Sequence, residues 1–428
     1  MSTNPEPRIE TVVLQPTPFC NIDCRYCYLP DRTDHTVMKR ETVTAVFERI
    51  FSSGWASPYL TVIWHAGEPM VLPVSYYETA FSAIEALRPP ALTIHHAIQT
   101  NGMLITPEWC TFLKQWDVGL GVSIDGPRAL HDANRVTRSG KGTFDRTLAG
   151  VRMLRREGVP FHVISVLSSQ SMGTARELLD FYEAEGIEDV CFNVDESEGA
   201  HVSPLLTDGG ARADFHFFLE QFWILSRRTC RVRFIREIDG MLSRVFRPDG
   251  TTVHNEQVEP FAMINVDCRG NVSSFSPELL GLKHPDYNDF IVGNVHTDTL
   301  QVMRESAAMR AMTRDIAAGV AKCEQECGYF SVCGGGSPIN KLSENGTFAS
   351  TRTAFCSLVH MVPTDLILGA LDRLERGLDE GLALPLPPAA TADGRHEAAL
   401  AWAPATVRAR PATEGGRGKK INIPIRSQ

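Results

Sequence analysis

The sequence predicts an α/β protein organised around a parallel sheet, and three observations carry that expectation. Six runs rich in β-branched and aromatic residues recur in the N-terminal half: "TVVLQPT" (11–17), "YLTVIWHAG" (59–67), "TIHHAIQTNG" (93–102), "VGLGVSIDG" (118–126), "FHVISVLSS" (161–169) and "DVCFNVDES" (189–197). Between them lie stretches of helical period, among them "TAVFERIF", "SYYETAFSAIEAL", "TFDRTLAGVRMLRREG" and "TARELLDFYEAEG". Three cysteines, Cys20, Cys24 and Cys27, follow directly on the first run. Strand–helix alternation of this kind implies parallel strands joined by right-handed crossovers, with the chemistry in the loops after the strands.

The later elements follow in order. A helix is expected over "ADFHFFLEQFWILSRR" (213–228), then a less regular bridge, 230–262. "AMINVDCRGNVSSF" (262–275) reads as a hairpin turning on Gly270–Asn271. The helical stretch "TLQVMRESAAMRAMTRDI", a cysteine-rich loop (323–337) and a last amphipathic helix near 354–378 complete a second unit. The expected organisation is an α/β unit at 1–229, the bridge, a second domain at 263–378, and a tail at 379–428. From 384 onward the tail is Pro- and Ala-rich, with seven Lys/Arg against three Asp/Glu, and reads as disordered and mildly basic.

Composition sets the outer limits. A chain of 428 residues with 43% hydrophobic and 22% charged residues suits a soluble globular protein, and a net charge of −9 argues against nucleic acid as a partner. No uninterrupted apolar run approaches the ~20 residues of a membrane span. "MSTNPEPRIE" lacks the apolar core of a signal peptide. The expectation is a cytoplasmic protein without membrane contact, whose eleven cysteines serve metal or redox chemistry rather than disulfides.

The spacing C-x3-C-x2-C is wrong for a zinc finger, which closes four ligands from two short pairs. Iron–sulfur clusters are held by thiolates, normally four. Three thiolates would leave one iron of a four-iron cluster open, and an open metal position is where a small molecule coordinates. A labile zinc or a buried cysteine trio is the alternative.

"CNIDCRYC" resembles the C-x3-C-x-aromatic-C signature of radical S-adenosylmethionine (SAM) enzymes. The resemblance implies a partial (β/α)6 barrel and a [4Fe-4S] cluster on Cys20, Cys24 and Cys27, with SAM chelating the open iron. "HAGEP" (65–69) is similar to the family's G-G-E-P motif, with Ala66 in place of the first glycine. It implies Gly67, Glu68 and Pro69 at the SAM site, Glu68 accepting from the SAM ammonium. "QTNG" (99–102) and "VSIDGP" (122–127) bring Asn101, Ser123 and Asp125 to it, and "ALHDANRVTRSGKGTF" (129–144) brings Arg135. Tyr26 and Tyr28 are expected to flank the adenine.

Cys323, Cys327, Cys333 and Cys356 form C-x3-C-x5-C…C, which resembles a truncated SPASM extension of radical SAM peptide maturases. That extension carries two auxiliary clusters. Here Ser337 and Phe275 stand where two further cysteines are expected, so the resemblance implies one auxiliary [4Fe-4S] cluster on the four cysteines present. A structural zinc on the same residues is the alternative. Cys268 has no assigned role, and Cys110, Cys191 and Cys230 read as buried small hydrophobes.

Within these proteins the chain most resembles the maturases that form cyclophanes in ribosomal peptides, on "QPTPFCNIDCRYCYLPDR", "VIWHAGEP", "GLGVSIDGPRALHD" and "INVDCRGNVSSFSPELLG". This implies an enzyme that removes a Cβ hydrogen and joins that carbon to an aromatic ring of the same precursor. Glu278, Asp195 and Glu196 are the candidate bases for the ring proton. The partners implied are a ribosomal precursor peptide and an electron donor such as ferredoxin or flavodoxin. A leader-binding domain, if used, would be a separate protein. Thioether crosslinking and sulfatase-maturase-like oxidation are the alternative reactions, and a non-catalytic iron–sulfur or zinc scaffold is the reading from another class.

Overall fold

The computed structural model describes residues 6–198, 201–207, 209–247 and 253–377; the basic tail expected from 379 lies outside the described residues. The six expected strands form at β1 (Ile9–Leu14), β2 (Ala56–Trp64), β3 (Thr93–Thr100), β4 (Gly119–Ser123), β5 (His162–Leu167) and β6 (Asp189–Val194). All are parallel to their neighbours, each pair separated by helical crossovers. Helix Arg40–Ser53 shows why: Val43, Val46, Phe47 and Ile50 fall on one buried face, and Gly54, at φ +74°, ends it. β4 is buried along its whole length. Gly121 is required there, since a Cβ would stand 2.9 Å from His162 Nε2 on β5.

The sheet is wider than six strands. The bridge supplies β7 (Phe234–Ile235), which pairs parallel with β6, and a helix, Arg236–Val245. The expected hairpin forms as β8 (Met263–Val266) and β9 (Asn271–Ser274), with Gly270 at φ +86° in its turn. β8 lies parallel to β1, and β10 (Gly293–Asn294) pairs antiparallel with β9. One ten-stranded sheet results, in the order β10-β9-β8-β1-β2-β3-β4-β5-β6-β7.

The main core lies between this sheet and its helices, centred on Trp64, Tyr77, Phe81, Trp109 and Phe112, whose rings pack edge-on and stacked. On the opposite face Val13, Ile63, Ala97 and Met263 form a small separate cluster. The residues just beyond this cluster, at the carboxyl ends of the strands, build the site.

Beyond the hairpin come helix Ala307–Glu326, the turn Phe330–Cys333, helix Pro338–Asn345 and the helical run 354–375, which contains a π-turn at Ser357–Met361 immediately after Cys356. The run 354–375 is long and apolar enough to cross a membrane, yet it buries Leu366, Ile367 and Ala370 against helices Ala211–Thr229 and Arg236–Val245. Arg212 and Tyr329 both bond Asp365, at 2.8 and 2.7 Å, locking this run to the barrel.

All eleven cysteines are free thiols. Cys110 and Cys191 are buried as expected, but Cys230 is exposed. It occupies the left-handed position, φ +55°, that ends helix Ala211–Thr229, and so leaves the apolar face that the sequence suggested.

Candidate functional site

Cys20, Cys24 and Cys27 sit half-buried on the loop after β1. Backbone bonds fix this loop from several sides: Glu68 N–H donates to Phe19 O at 2.8 Å, Asp23 N–H to Val136 O at 2.7 Å, and Arg25 N–H to Asn134 O at 3.0 Å. Burial, with the nearby Glu68 carboxylate, pushes the Cys20 thiol up to about 12. Cys24 is pushed to about 12 by burial, with Arg135 pulling the other way.

Gly67 brings the β2 loop against this one. At φ +67°, a Cβ there would lie 2.4 Å from Thr17 O and 2.6 Å from Phe19 O, so only glycine fits. Ala66, the departure from the double glycine, takes φ +71° as a non-glycine residue. Pro69 opens a short helical turn, and its carbonyl accepts from Tyr77 at 2.8 Å.

Glu68 is buried and accepts three internal donors: Met70 N–H and the Thr100 hydroxyl on Oε1, at 2.9 and 2.7 Å, and Asn101 N–H on Oε2 at 2.7 Å. A carboxylate offers about four acceptor positions, so one remains for a ligand ammonium. The principal structural work of Glu68 is to tie β2 to β3. Asn101 continues the chain of contacts, its amide donating to Asn21 Oδ1 at 2.6 Å in the cysteine loop.

Ser123 ends β4, buried. Two residues on, Asp125 is the hub of a buried network: Oδ2 accepts from Arg135 Nε at 3.0 Å and from Tyr26 OH at 2.5 Å, and Oδ1 from Val166 N–H at 2.9 Å. Arg135 also lies over the Tyr26 ring, and its Nη1 stands 4.0 Å from Cys24 Sγ. A guanidinium thereby stands beside one of the three thiols.

The two tyrosines part company. Tyr26 belongs to the Asp125–Arg135 network, whereas Tyr28 OH meets His65 Nε2 at 3.4 Å and lies in the field of Glu278, Glu198, Glu196 and Cys27. Their hydroxyls therefore have different partners, Asp125 for Tyr26 and His65 for Tyr28. The motif places Tyr26 and Tyr28 only two residues apart, but the Cys27 turn sends them in different directions.

Around Tyr28 three glutamates converge from separate segments. Glu196 follows β6, Glu198 lies two residues further, and Glu278 sits beside Ser276, whose hydroxyl bonds it. Burial raises all three; Glu196 reaches about 7, and its bond from Asn340 Nδ2 at 2.8 Å opposes that rise. After burial, the charge of Glu278 raises Glu196 further while a bond with Glu198 lowers it, and Glu198 is itself raised by burial and by the charges of Glu196 and Glu278, a like-charge arrangement that retains a proton. Asp195 is different: it is buried and held by His201 Nε2 at 2.7 Å, whereas Glu196 is held by Asn340 beside Glu198 and Glu278. Sequence reasoning passed over Glu198, although the run "DESE" signals it, and over His65.

Cys323, Cys327, Cys333 and Cys356 line one cavity, together with Ser337, Lys341 and His360. Gly334, Gly335 and Gly336 all take positive φ, and this curl points the Gly335 and Gly336 N–H groups at Cys333. Asn255 clamps the curl by donating to Gly336 O at 2.9 Å and Cys333 O at 3.3 Å. Thr353 N–H donates to Cys356 Sγ at 3.2 Å. Cys268 lies among Asp267, Arg269 and Asp34.

Neither group of cysteines is drawn to a point: among the described residues, no three His, Cys, Asp or Glu are arranged to hold a single metal ion. The four C-terminal thiols instead surround a space furnished with backbone N–H donors and a buried lysine. That donor set fits an anionic cluster, which carries negative charge on its sulfurs and gains from such donors.

Three thiols on the loop after β1, the β2 and β3 loops bonded to that loop, and a guanidinium beside Cys24 form one site at the carboxyl ends of the strands. The radical SAM superfamily profile matches residues 14–182. An uncharacterised protein of Synechocystis sp. is 36% identical over 365 residues, covering 84% of this chain and 92% of the relative. A serine-type anaerobic sulfatase-maturating enzyme of Bacteroides thetaiotaomicron is 26% identical over 339 residues, covering 76% of this chain and 81% of the relative. Among solved structures, native anSMEcpe with bound AdoMet superposes with a TM-score of 0.70 at 19% identity, covering 86% of this chain and all of that one. Streptococcus suis SuiB bound to its precursor peptide SuiA superposes at 0.54 and 16% identity, covering 82% of this chain and 76% of that one. The chain belongs to the radical SAM superfamily. It is an α/β radical SAM enzyme whose cofactors are SAM and a [4Fe-4S] cluster.

Proposed function

We propose that this enzyme is a peptide maturase that removes a hydrogen from the β-carbon of one residue and joins that carbon to an aromatic ring of the same ribosomal precursor, forming a cyclophane. Cys20, Cys24 and Cys27 would hold the SAM-binding cluster, and Cys323, Cys327, Cys333 and Cys356 an auxiliary [4Fe-4S] cluster. With SAM bound, the first cluster supplies a 5′-deoxyadenosyl radical after reduction by a donor of the ferredoxin or flavodoxin kind.

The protein's share is positioning and proton handling. Gly67, Glu68 and Asn101 fix the floor of the SAM site, and Asp125 with Arg135 its wall. On this reading the loops at the strand ends would hold the target C–H in line and keep water from it. The crosslinked product has two hydrogens fewer than the precursor. One would leave the β-carbon as a hydrogen atom; once that carbon had bonded to the ring, the second would leave as a proton to a carboxylate, and an auxiliary cluster held by Cys323, Cys327, Cys333 and Cys356 would supply the acceptor for the remaining electron.

The observation that carries this reading is the glutamate group at Tyr28. Glu196, raised to about 7, is matched to accepting a proton near neutral pH, and Glu198 and Glu278 adjoin it. Phe275 and Ser276, both fully buried, occupy the stretch where sulfatase maturases are expected to carry a cluster cysteine and an aspartate, which weighs against serine oxidation. The relatedness to a serine-type sulfatase-maturating enzyme keeps that oxidation as the second reading.

The test is co-expression with an adjacent short open reading frame encoding an aromatic-containing peptide. Both products lose two hydrogens, so tandem mass spectrometry and hydrazide trapping separate them. A product that resists fragmentation between two residues and does not react with hydrazide supports the cyclophane. A hydrazide-reactive aldehyde on a serine establishes the oxidation instead.

A further inference from the structure

The second cysteine group contains a cation that the proposed chemistry has not used. Lys341 lies on helix Pro338–Asn345, directly beyond the glycine curl, and is only 3% exposed. Its Nζ stands 3.2 Å from Cys323 Sγ, the one hydrogen-bond partner of this ammonium among the described residues, and no carboxylate pairs with it there.

The packing around the side chain is made for it. Helix Ala307–Glu326 passes with Gly319 facing Lys341: a Cβ at Gly319 would stand 3.2 Å from Nζ and 2.1 Å from Phe348 O. A Cβ at Gly336 would lie 3.8 Å from Lys341 Cε. Gly319 thus leaves the space in which the lysine reaches the thiol, while Gly336 lies in ordinary contact with its stem.

An ammonium this deep, with a neutral thiol as its partner, is costly to bury. Thiolates carrying the negative charge of a cluster remove that cost. Conversely, a positive charge and a hydrogen bond at a ligand sulfur favour the more negative, reduced state, and both are recognised controls of cluster potential. Arg244 adds a second positive charge on the Cys333 side, and the Gly335 and Gly336 N–H groups donate there. Lys341 is the one side chain among these that reaches a ligand sulfur directly.

We propose that Lys341 sets the redox poise of the auxiliary cluster, raising its potential through Cys323 so that it accepts an electron. Lys341 is on this view a positioning residue that acts through a ligand. The inference rests on the auxiliary-cluster reading above.

The experiment is reconstitution of the full-length wild type, Lys341→Met and Lys341→Arg without oxygen, with iron and sulfide assays and a potentiometric titration followed by electron paramagnetic resonance. The auxiliary signal is the one that does not respond to added SAM. We expect Lys341→Met to retain that signal with its midpoint lowered by at least ~59 mV, a tenfold shift in the ratio of oxidised to reduced cluster at fixed poise. Lys341→Arg, which keeps the charge, should stay near the wild type. If Lys341→Met fails to load the cluster while Lys341→Arg loads it at the wild-type potential, the charge requirement is equally supported. A loaded Lys341→Met with an unmoved midpoint overturns the role of Lys341, as does loss of the cluster in both variants, which marks a packing role only. Wild-type protein with no SAM-indifferent signal overturns the auxiliary-cluster reading itself, a separate outcome.

Discussion

Asn340 donates its side-chain amide to Glu196 Oε2 at 2.8 Å, across 144 positions of sequence. The next residue, Lys341, turns to Cys323 at 3.2 Å. Helix Pro338–Asn345 therefore stands between the glutamate group at the barrel mouth and the second cysteine group, touching both with consecutive side chains. Successive helical residues point about 100° apart, which is what lets one short helix serve two sites.

That bond has a pH consequence. Burial raises Glu196 to about 7 from an ordinary 4.5, and Asn340 restrains the rise. In Asn340→Ala the restraint is lost and the carboxyl moves further up. If Glu196 is the base, product formation climbs with pH through about 7 in the wild type, and the midpoint of that climb moves to higher pH in the variant. Stability changes in the opposite sense. A carboxyl whose folded value stands above its unfolded one stabilises below about 4.5, and that contribution is lost as pH rises through about 7. Melting temperatures from pH 5 to 8 should fall more steeply for the wild type than for Glu196→Gln. Equal slopes would show that Glu196 titrates at its ordinary value.

Gly67→Ala should break the first centre. The added methyl would meet Thr17 O at 2.4 Å and Phe19 O at 2.6 Å, both backbone atoms of the cysteine loop, at a φ that alanine resists. The loop must move, so we expect reconstituted protein to lose the SAM-responsive iron while the C-terminal cluster stays loaded. Full SAM-responsive iron in this variant would mean that the loop tolerates displacement. Ala66→Gly, one position earlier, relieves a left-handed alanine and should change stability by no more than about 1 kcal/mol.

Much of this was legible in the sequence because it is local. The six strands came from period and from turn residues, and the first site came from spacings of two or three residues placed at strand ends. The features that escaped are those made by distance. Nothing in "AMINVDCRGNVSSF" announces that β8 will lie parallel to β1, extending the sheet rather than starting a new one. The Lys341–Cys323 and Asn340–Glu196 contacts arise only when the helices pack. Cys230 looked apolar by neighbourhood, but the left-handed turn at the helix end, a matter of backbone and not of hydropathy, put it outside. Glu198 was visible in the string and overlooked, since its partner Glu278 enters from a remote segment.

The Asp125–Arg135 pair gives a stability test at the same centre. Both side chains are buried, and Asp125 also receives Tyr26 and Val166 N–H. Removing one partner leaves a charge stranded in the interior, at a cost of about 3–5 kcal/mol. Arg135→Met should lose stability on that scale in denaturant unfolding, together with SAM cleavage. Asp125→Asn/Arg135→Met, which removes both charges, should recover part of the stability but none of the cleavage, because the guanidinium beside Cys24 is still missing. Recovery of cleavage in the double variant would show that Arg135 has no part in the SAM site.

The two cysteine groups are separable, and that separation tests the proposed division of labour. With Cys24 as a proposed ligand of the first centre, Cys24→Ala should bring 5′-deoxyadenosine formation under dithionite to background while iron proposed to sit at Cys323, Cys327, Cys333 and Cys356 remains. Cys327→Ala should do the reverse: SAM is still cleaved, but crosslinked peptide falls by at least tenfold because the ring electron has no acceptor. Measuring deoxyadenosine and product in the same reaction distinguishes the two, since uncoupled cleavage appears as deoxyadenosine in excess of product. Undiminished deoxyadenosine in Cys24→Ala would overturn the assignment of the first centre. Full product in Cys327→Ala would remove the C-terminal group from the reaction and leave it a structural one.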